Sequence, residues 1–173
     1  MFKDDAEKDA QCQEQDRKDF QIFKKELTAL REGIEVDAPV DGKCGIDAVV
    51  EKCNKVELKM RDMEMKKFPT YFIRKSKIDN ARKELQEGER LFACFLCFDG
   101  FYLVDVTSKE LQVTPPMKVK NHELGERYEV NYSIDWQKDG GKHYAYTATT
   151  TEEISEIMKN FQCKAKERRN KNR

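Results

Sequence analysis

The chain lacks several features that would settle its class at once. No apolar run approaches the length of a membrane span, so the expectation is a protein with no membrane partner. The opening Met1-Phe2-Lys3-Asp4-Asp5 runs straight into charge and does not read as a secretory leader, which points to the cytoplasm. There are six cysteines, but without a leader they do not form a disulfide framework in 173 residues. Cys94 and Cys97 have no second pair or histidine at zinc-finger spacing, and on a strand they face opposite sides, so both read as core thiols. The two histidines, His122 and His143, lie in no metal or nucleophile motif. There is no glycine-rich phosphate loop and no internal repeat. Net charge is also absent, with 33 basic against 33 acidic side chains. The charge is unevenly spread, however. Residues 1–17 carry three basic and six acidic groups, and residues 159–173 carry seven basic and one acidic, which makes the C-terminal tail a candidate polyanion contact.

What is present suits one domain over 1–173 with a compact core, since 38% of residues are apolar and 38% charged. Phe20, Phe23, Leu27 and Leu30 recur at helical spacing, which predicts a helix over 4–32 that Gly33 ends. Glu26 borders that stripe. Ile34-Glu35-Val36 reads as a short strand. Residues 45–51 and 55–60 read as a β-hairpin. Because strand side chains alternate, Val56, Leu58 and Met60 share one face and Lys55, Glu57 and Lys59 the other. A charged row on a central strand calls for a partner or a metal. Asp47 joins Glu57 and Lys59 on one face if the loop is Lys52-Cys53-Asn54, with Asn54 left-handed and Asp47 opposite Lys59, or if a bulge has the same effect.

Downstream, residues 70–86 read as a helix with Thr70 as N-cap and an inward stripe of Ile73, Lys77, Ile78, Ala81 and Leu85. Lys77 in that stripe either snorkels to the surface or faces an anionic site. Arg82 and Lys75 fall on a candidate phosphate-facing edge. Residues 91–98 form a strand buried on both faces, and Asp99-Gly100 turns it into 101–106. Residues 127–136 alternate cleanly, with Tyr128, Val130, Tyr132, Ile134 and Trp136 on one side, and 143–149 is the expected antiparallel partner. A capping box of Thr150 and Glu153 opens the last helix, which docks through Ile154, Ile157, Met158 and Phe161.

Asp47, followed after nine residues by Glu57-Leu58-Lys59, resembles motifs II and III of the PD-(D/E)XK nuclease superfamily. The wider run Glu57-Leu58-Lys59-Met60-Arg61-Asp62, then Phe68-Pro69-Thr70-Tyr71-Phe72-Ile73 and Ser76-Lys77, is similar to a bacteriophage-type subgroup. The family's proline before the aspartate is Ile46 here. A second triplet, Glu64-Met65-Lys66, lacks an aspartate-bearing strand before it.

The resemblance implies an α/β fold with a restriction-endonuclease-like α-β-β-β-α-β core over about 20–106. A C-terminal β-hairpin and helix over 107–163 and a basic tail at 164–173 would complete the chain. It implies a Mg²⁺ (or Mn²⁺) ion held by Asp47, Glu57, the Leu58 carbonyl and Glu26. It further implies that Lys59 works on the attacking water, that Lys77 binds phosphate, and that Lys75 and Arg82 contact nucleic acid, DNA by family habit. The protein would then act in the host-cell cytoplasm, and cutting both strands would call for a homodimer. Two other readings stay open: a non-catalytic nucleic-acid-binding module, and a phage interaction protein in which Asp47, Glu57 and Lys59 form a structural ion-pair row.

Overall fold

A computed structural model describes residues 2–39, 46–121 and 125–159. The fold is mixed α/β. Helix α1 spans Phe2–Leu30 and is followed by the short strand β1 (Val36–Asp37), β2 (Ala48–Val50) and β3 (Asn54–Met60). Strand β4 (Thr70–Arg74) leads directly into helix α2 (Lys75–Lys83), and then come β5 (Arg90–Cys97) and β6 (Gly100–Asp105). The last third contributes β7 (Gln112–Val113), β8 (Met117–Asn121), β9 (Gly125–Glu129), β10 (Asn131–Asp135) and β11 (Lys142–Tyr144). Helix α3 closes the described chain at 151–159. The basic tail at 164–173, Phe161, Cys44, Cys163 and His122 lie outside the described residues.

The central sheet has six strands in the order β1-β2-β3-β5-β6-β11. Its β1-β2-β3 meander is antiparallel, β5 lies parallel to β3, and β6 returns antiparallel to β5. A parallel neighbour needs a crossover, and β4 with α2 supplies it. Helices α1 and α3 cover one face, where Phe23 and Leu27 meet Val56, Leu58, Cys94, Leu96, Ile154 and Met158. The other face is covered by α2, through Ile78 and Ala81, and by a three-stranded sheet in the order β4-β10-β7. Strand β5 is therefore buried on both sides, with Leu91, Ala93, Phe95 and Cys97 turned to α2 and Cys94 and Leu96 to α1. Cys94 and Cys97 do face opposite layers, as period-2 alternation requires. Truncating a fully buried side chain such as Phe95 to alanine would cost about 3–5 kcal/mol.

Several local expectations hold. Gly33 takes the left-handed conformation (φ 81°) just past α1. The capping box is formed, with Glu153 N donating to Thr150 Oγ1 (3.2 Å) and Thr150 N to Glu153 Oε2 (2.8 Å).

Three do not. The helix expected from Thr70 begins only at Lys75. Thr70–Arg74 is a strand that pairs with β10, Ile73 opposite Tyr132, and buries Tyr71 and Ile73 in alternation. Aromatic and β-branched residues suit that pleated, half-buried edge better than a helix. The expected strand 127–136 breaks at Val130. Its first half forms a two-stranded ribbon with β8, and its second half joins β4 and β7. Tyr128 is 70% exposed while Tyr132 and Ile134 are buried, so the aromatic row does not line one surface. Nor do residues 143–149 pair with it: β11 instead extends the central sheet along β6. Gly100 makes that possible, because a Cβ there would stand 2.3 Å from the Tyr144 carbonyl oxygen.

Candidate active site

The β2–β3 hairpin sets the site. Its register pairs Ala48 with Val56, Val49 with Lys55 and Val50 with Asn54. The loop is thus Glu51-Lys52-Cys53, one residue earlier than expected, and the left-handed residues are Glu51 (φ 51°) and Lys52 (φ 62°) rather than Asn54. Each such residue costs about 1–2 kcal/mol. Contacts with the segment between α1 and β1 offset this: Arg31 Nη2 donates to Glu51 Oε1 (2.6 Å) and Glu51 N to the Glu35 carbonyl (2.9 Å). Asn54 closes the loop through its side chain, Nδ2 to the Val50 carbonyl at 3.2 Å.

Continued one step, the register opposes Asp47 to Glu57 rather than to Lys59. The ladder kinks there. Asp47 N donates to the Val56 carbonyl (2.9 Å), one position out of register, and Ile46 packs on the α2 face while Ala48 packs on the α1 face. Beyond this bulge β2 has ended, and β3 runs on with its β2-side edge open while its other edge stays paired with β5 through Met60.

At this opening four predicted side chains converge. Glu57 is 2% exposed. Its Oε1 receives both Lys59 Nζ and Lys77 Nζ, each at 2.9 Å, which leaves Oε2 outside those bonds. Lys77 reaches it from α2, so the lysine in the inward stripe faces an anionic site. Asp47 Oδ2 accepts the Leu58 amide at 2.8 Å, and Oδ1 lies outside that bond. Burial, and then the Glu57 carboxylate, push the Asp47 carboxyl up to about 7, against the opposing pull of the Leu58 amide, Lys77 and Lys59. Burial alone would lower Lys77, but Glu57 and Asp47 outweigh it and hold its ammonium above the usual range.

Two carboxylates opposed across adjacent strands repel. A divalent cation between them would relieve that repulsion. Among the described residues no group of three or more His, Cys, Asp or Glu is arranged to hold a metal ion. A cation here would rest on Asp47, Glu57, main-chain oxygen such as that of Leu58, and water. That hard, sparse donor set fits Mg²⁺, which keeps several waters and takes one or two carboxylates.

Glu26 has a different task from the one expected. It is fully buried, and its carboxylate accepts Thr147 N (2.9 Å), Thr147 Oγ1 (3.4 Å) and Ala148 N (3.0 Å). Both oxygens serve to hold the segment before α3. On α1, Asp16 comes close enough to feel the charges of Lys77, Lys59 and Glu57. Partial desolvation raises its carboxyl, with Lys77 and Lys59 lowering it and Glu57 raising it. The signal was available, because Asp16, Asp19 and Phe23 continue the helical stripe at spacings of three and four toward the N-terminus. Arg82 is also reassigned. Its Nε and Nη2 donate to the Val106 and Lys109 carbonyls at 2.8 and 2.7 Å, tying α2 to the loop after β6. Lys75 points away from Lys77, pairing with Asp79 at 2.5 Å and lying over the Tyr132 ring.

Two clefts open elsewhere, one beside α2 and β9 and one between α1 and α3, and neither is lined by Asp47, Glu57, Lys59 or Lys77. No helix among the described residues is long and apolar enough to cross a membrane. No family model matches the chain, and no curated protein matches it. Geometry and chemistry therefore carry the functional assignment.

Proposed function

We propose that the protein is a metal-dependent nuclease of PD-(D/E)XK type that hydrolyses phosphodiester bonds of DNA. The observation that carries this reading is the convergence of Asp47, Glu57, Lys59 and Lys77 at the kinked end of one hairpin. The cluster holds two carboxylates against two ammoniums, yet they are not paired off as in a structural ion-pair row: both ammoniums go to one buried oxygen of Glu57, while Asp47 is held by the Leu58 amide with its proton held up to about 7. Further support comes from the element order. α1, β1, β2, β3, α2 and β5 follow the α-β-β-β-α-β succession of the restriction-endonuclease-like core, with β4 inserted before α2.

Asp47, Glu57 and the Leu58 carbonyl would hold Mg²⁺ or Mn²⁺. When bound there, such an ion supplies Lewis acidity and makes water acidic enough to act as a nucleophile near neutral pH. The Leu58 amide fixes the Asp47 carboxylate against β3, so the ligand pair is set before substrate arrives. Lys59, on the strand itself, orients the attacking water and offsets charge that builds on the phosphate. Lys77, on the first turns of α2, takes a phosphate oxygen.

The test is cleavage of labelled single-stranded, duplex, nicked and branched DNA, and of RNA, with Mg²⁺, Mn²⁺ or EDTA, beside Asp47→Ala and Lys59→Ala. Metal-dependent cutting that both substitutions abolish is the expected result. Wild-type protein that binds these substrates and cuts none would make it a binding module. Cutting that survives Asp47→Ala would remove the proposed centre.

A further inference from the structure

A second feature lies on the other side of the first turn of α2. An open groove of about 430 Å³ is lined by Arg74, Lys75, Ser76, Arg127, Tyr128 and Glu129, among others. Its volume falls in the range of small-molecule sites, about 300–1,000 Å³. Arg74 Nη2 and Arg127 Nη2 both donate to the same oxygen, Glu129 Oε1, at 2.7 and 2.5 Å. One carboxylate thus holds two guanidiniums side by side and offsets only one of them. Arg127 Nε is buried and has no hydrogen-bond partner among the described residues. With Lys75 and Asp79 also counted, the wall carries three cationic groups against two carboxylates. At its rim stands Tyr128, 70% exposed and the most exposed large hydrophobic side chain described. Packing does not explain it, because its strand pairs only with β8, in a ribbon of two.

We propose that this groove binds a nucleotide of a single strand flanking the scissile phosphate, its base stacked on Tyr128 and its phosphate held by Arg74 and Arg127. The inference deepens the nuclease reading and rests on it for the place of the scissile bond. Lys75 and Ser76 line the groove while Lys77 reaches Glu57, so the two features flank one helical turn. A helix with its side chains is about 10–12 Å across, a width that one or two extended nucleotides bridge. A projecting aromatic ring can stack only on a base freed from its pair, and such stacking accepts any base. Bases inside a duplex are already stacked and closed to it. The protein would accordingly prefer single strands, or frayed and branched ends, without base preference.

The test is equilibrium binding of the full chain, in EDTA so that no cutting occurs, to a fluorescent oligothymidine and to a hairpin duplex of equal charge. Tyr128→Ala should weaken single-strand binding about ten-fold and leave duplex binding within about two-fold of wild type. Tyr128→Phe, which keeps the ring, should bind as wild type. Arg74→Ala should weaken single-strand binding and reduce its salt slope by about 0.7. Thermal melts of each variant confirm folding. Single-strand binding unchanged in Tyr128→Ala, or duplex binding lost equally, would overturn the proposal. Cutting that needs Asp47 but ignores Tyr128 would reject the groove and keep the nuclease. Tyr128-dependent strand binding with no cutting under any metal would keep the groove as a strand-binding site and reject the nuclease.

Discussion

Glu26 and Glu57 are both withdrawn from water, 0% and 2% exposed, yet their carboxylates meet very different partners. Glu26 accepts two backbone amides and a hydroxyl from residues 147 and 148. Glu57 takes two lysine ammoniums on one oxygen and faces the Asp47 carboxylate across the hairpin. The first is a fully hydrogen-bonded buried charge, which serves as a clamp on the fold. The second belongs to a crowded cluster in which two carboxylates share a small volume with two ammoniums, the kind of arrangement that makes a candidate functional site. Burial alone does not separate a carboxylate that clamps the fold from one held in a charged cluster. The partners do.

The sharpest way to break this contrast is to remove one carboxylate from each region. Asp47→Ala should lower metal-dependent cleavage by about 10³-fold or more while the melting temperature stays at or above that of wild type, since a repelled charge is gone. Cleavage rates and thermal melts on one preparation would check both halves. Glu26→Ala should do the reverse. It leaves the part-buried Thr147 and Ala148 amides without their acceptor and should cost about 2 kcal/mol in urea denaturation, with cleavage by the folded fraction within about two-fold of wild type.

The pH dependence sharpens the same comparison. Asp47 is protonated more readily in the fold, near 7, than at its ordinary value of 3.8. Across that interval the folded state binds more protons than the unfolded state. Metal-free stability should therefore fall as pH rises from about 4 to about 7, by on the order of 3 kcal/mol. Asp16, also raised, acts in the same direction. Melts in EDTA should show this slope in wild type, a flatter one in Asp47→Asn, and recovery at pH 7 on adding Mg²⁺. A slope unchanged by Asp47→Asn would detach the titration from the site. The smallest effect belongs to Thr150→Ala, which removes one cap of α3 next to the Glu26 clamp and should cost about 1 kcal/mol, read as a shift in the urea midpoint.

Much of this was legible in the sequence, and the misses have specific causes. A three-residue loop, the condition for Asp47 to share a face with Glu57 and Lys59, does form, and period-2 alternation puts Cys94 and Cys97 in opposite layers. The hairpin loop was displaced by one residue, because Asn54 is the better left-handed former by type, whereas Arg31 and Glu35 hold Glu51 there instead. The stripe Ile73-Lys77-Ile78-Ala81-Leu85 fits a helix, but its first member belongs to a strand whose own alternation, Tyr71 and Ile73, spans only five residues. Short apolar runs satisfy both periods at once. Asp16 was overlooked because charged residues at the end of an apolar stripe look like the start of a solvated face.

What lies within a few residues along the chain follows from the order of amino acids alone: the long first helix and its glycine stop, the buried strand pair 91–106, the capping box, and the shared face of Glu57 and Lys59 on one strand. These follow from backbone sterics and side-chain period, which need no distant partner. That β10 pairs with β4, that β11 borders β6, that Glu26 is a clamp and that Asp16 comes within reach of the site's charges emerge only in the closed fold. Glu26 finds its donors 121 residues away, and a strand edge accepts whichever partner buries most apolar surface. Neither choice is written in local propensity, because each is settled by competition among segments that meet only when the chain has closed on itself.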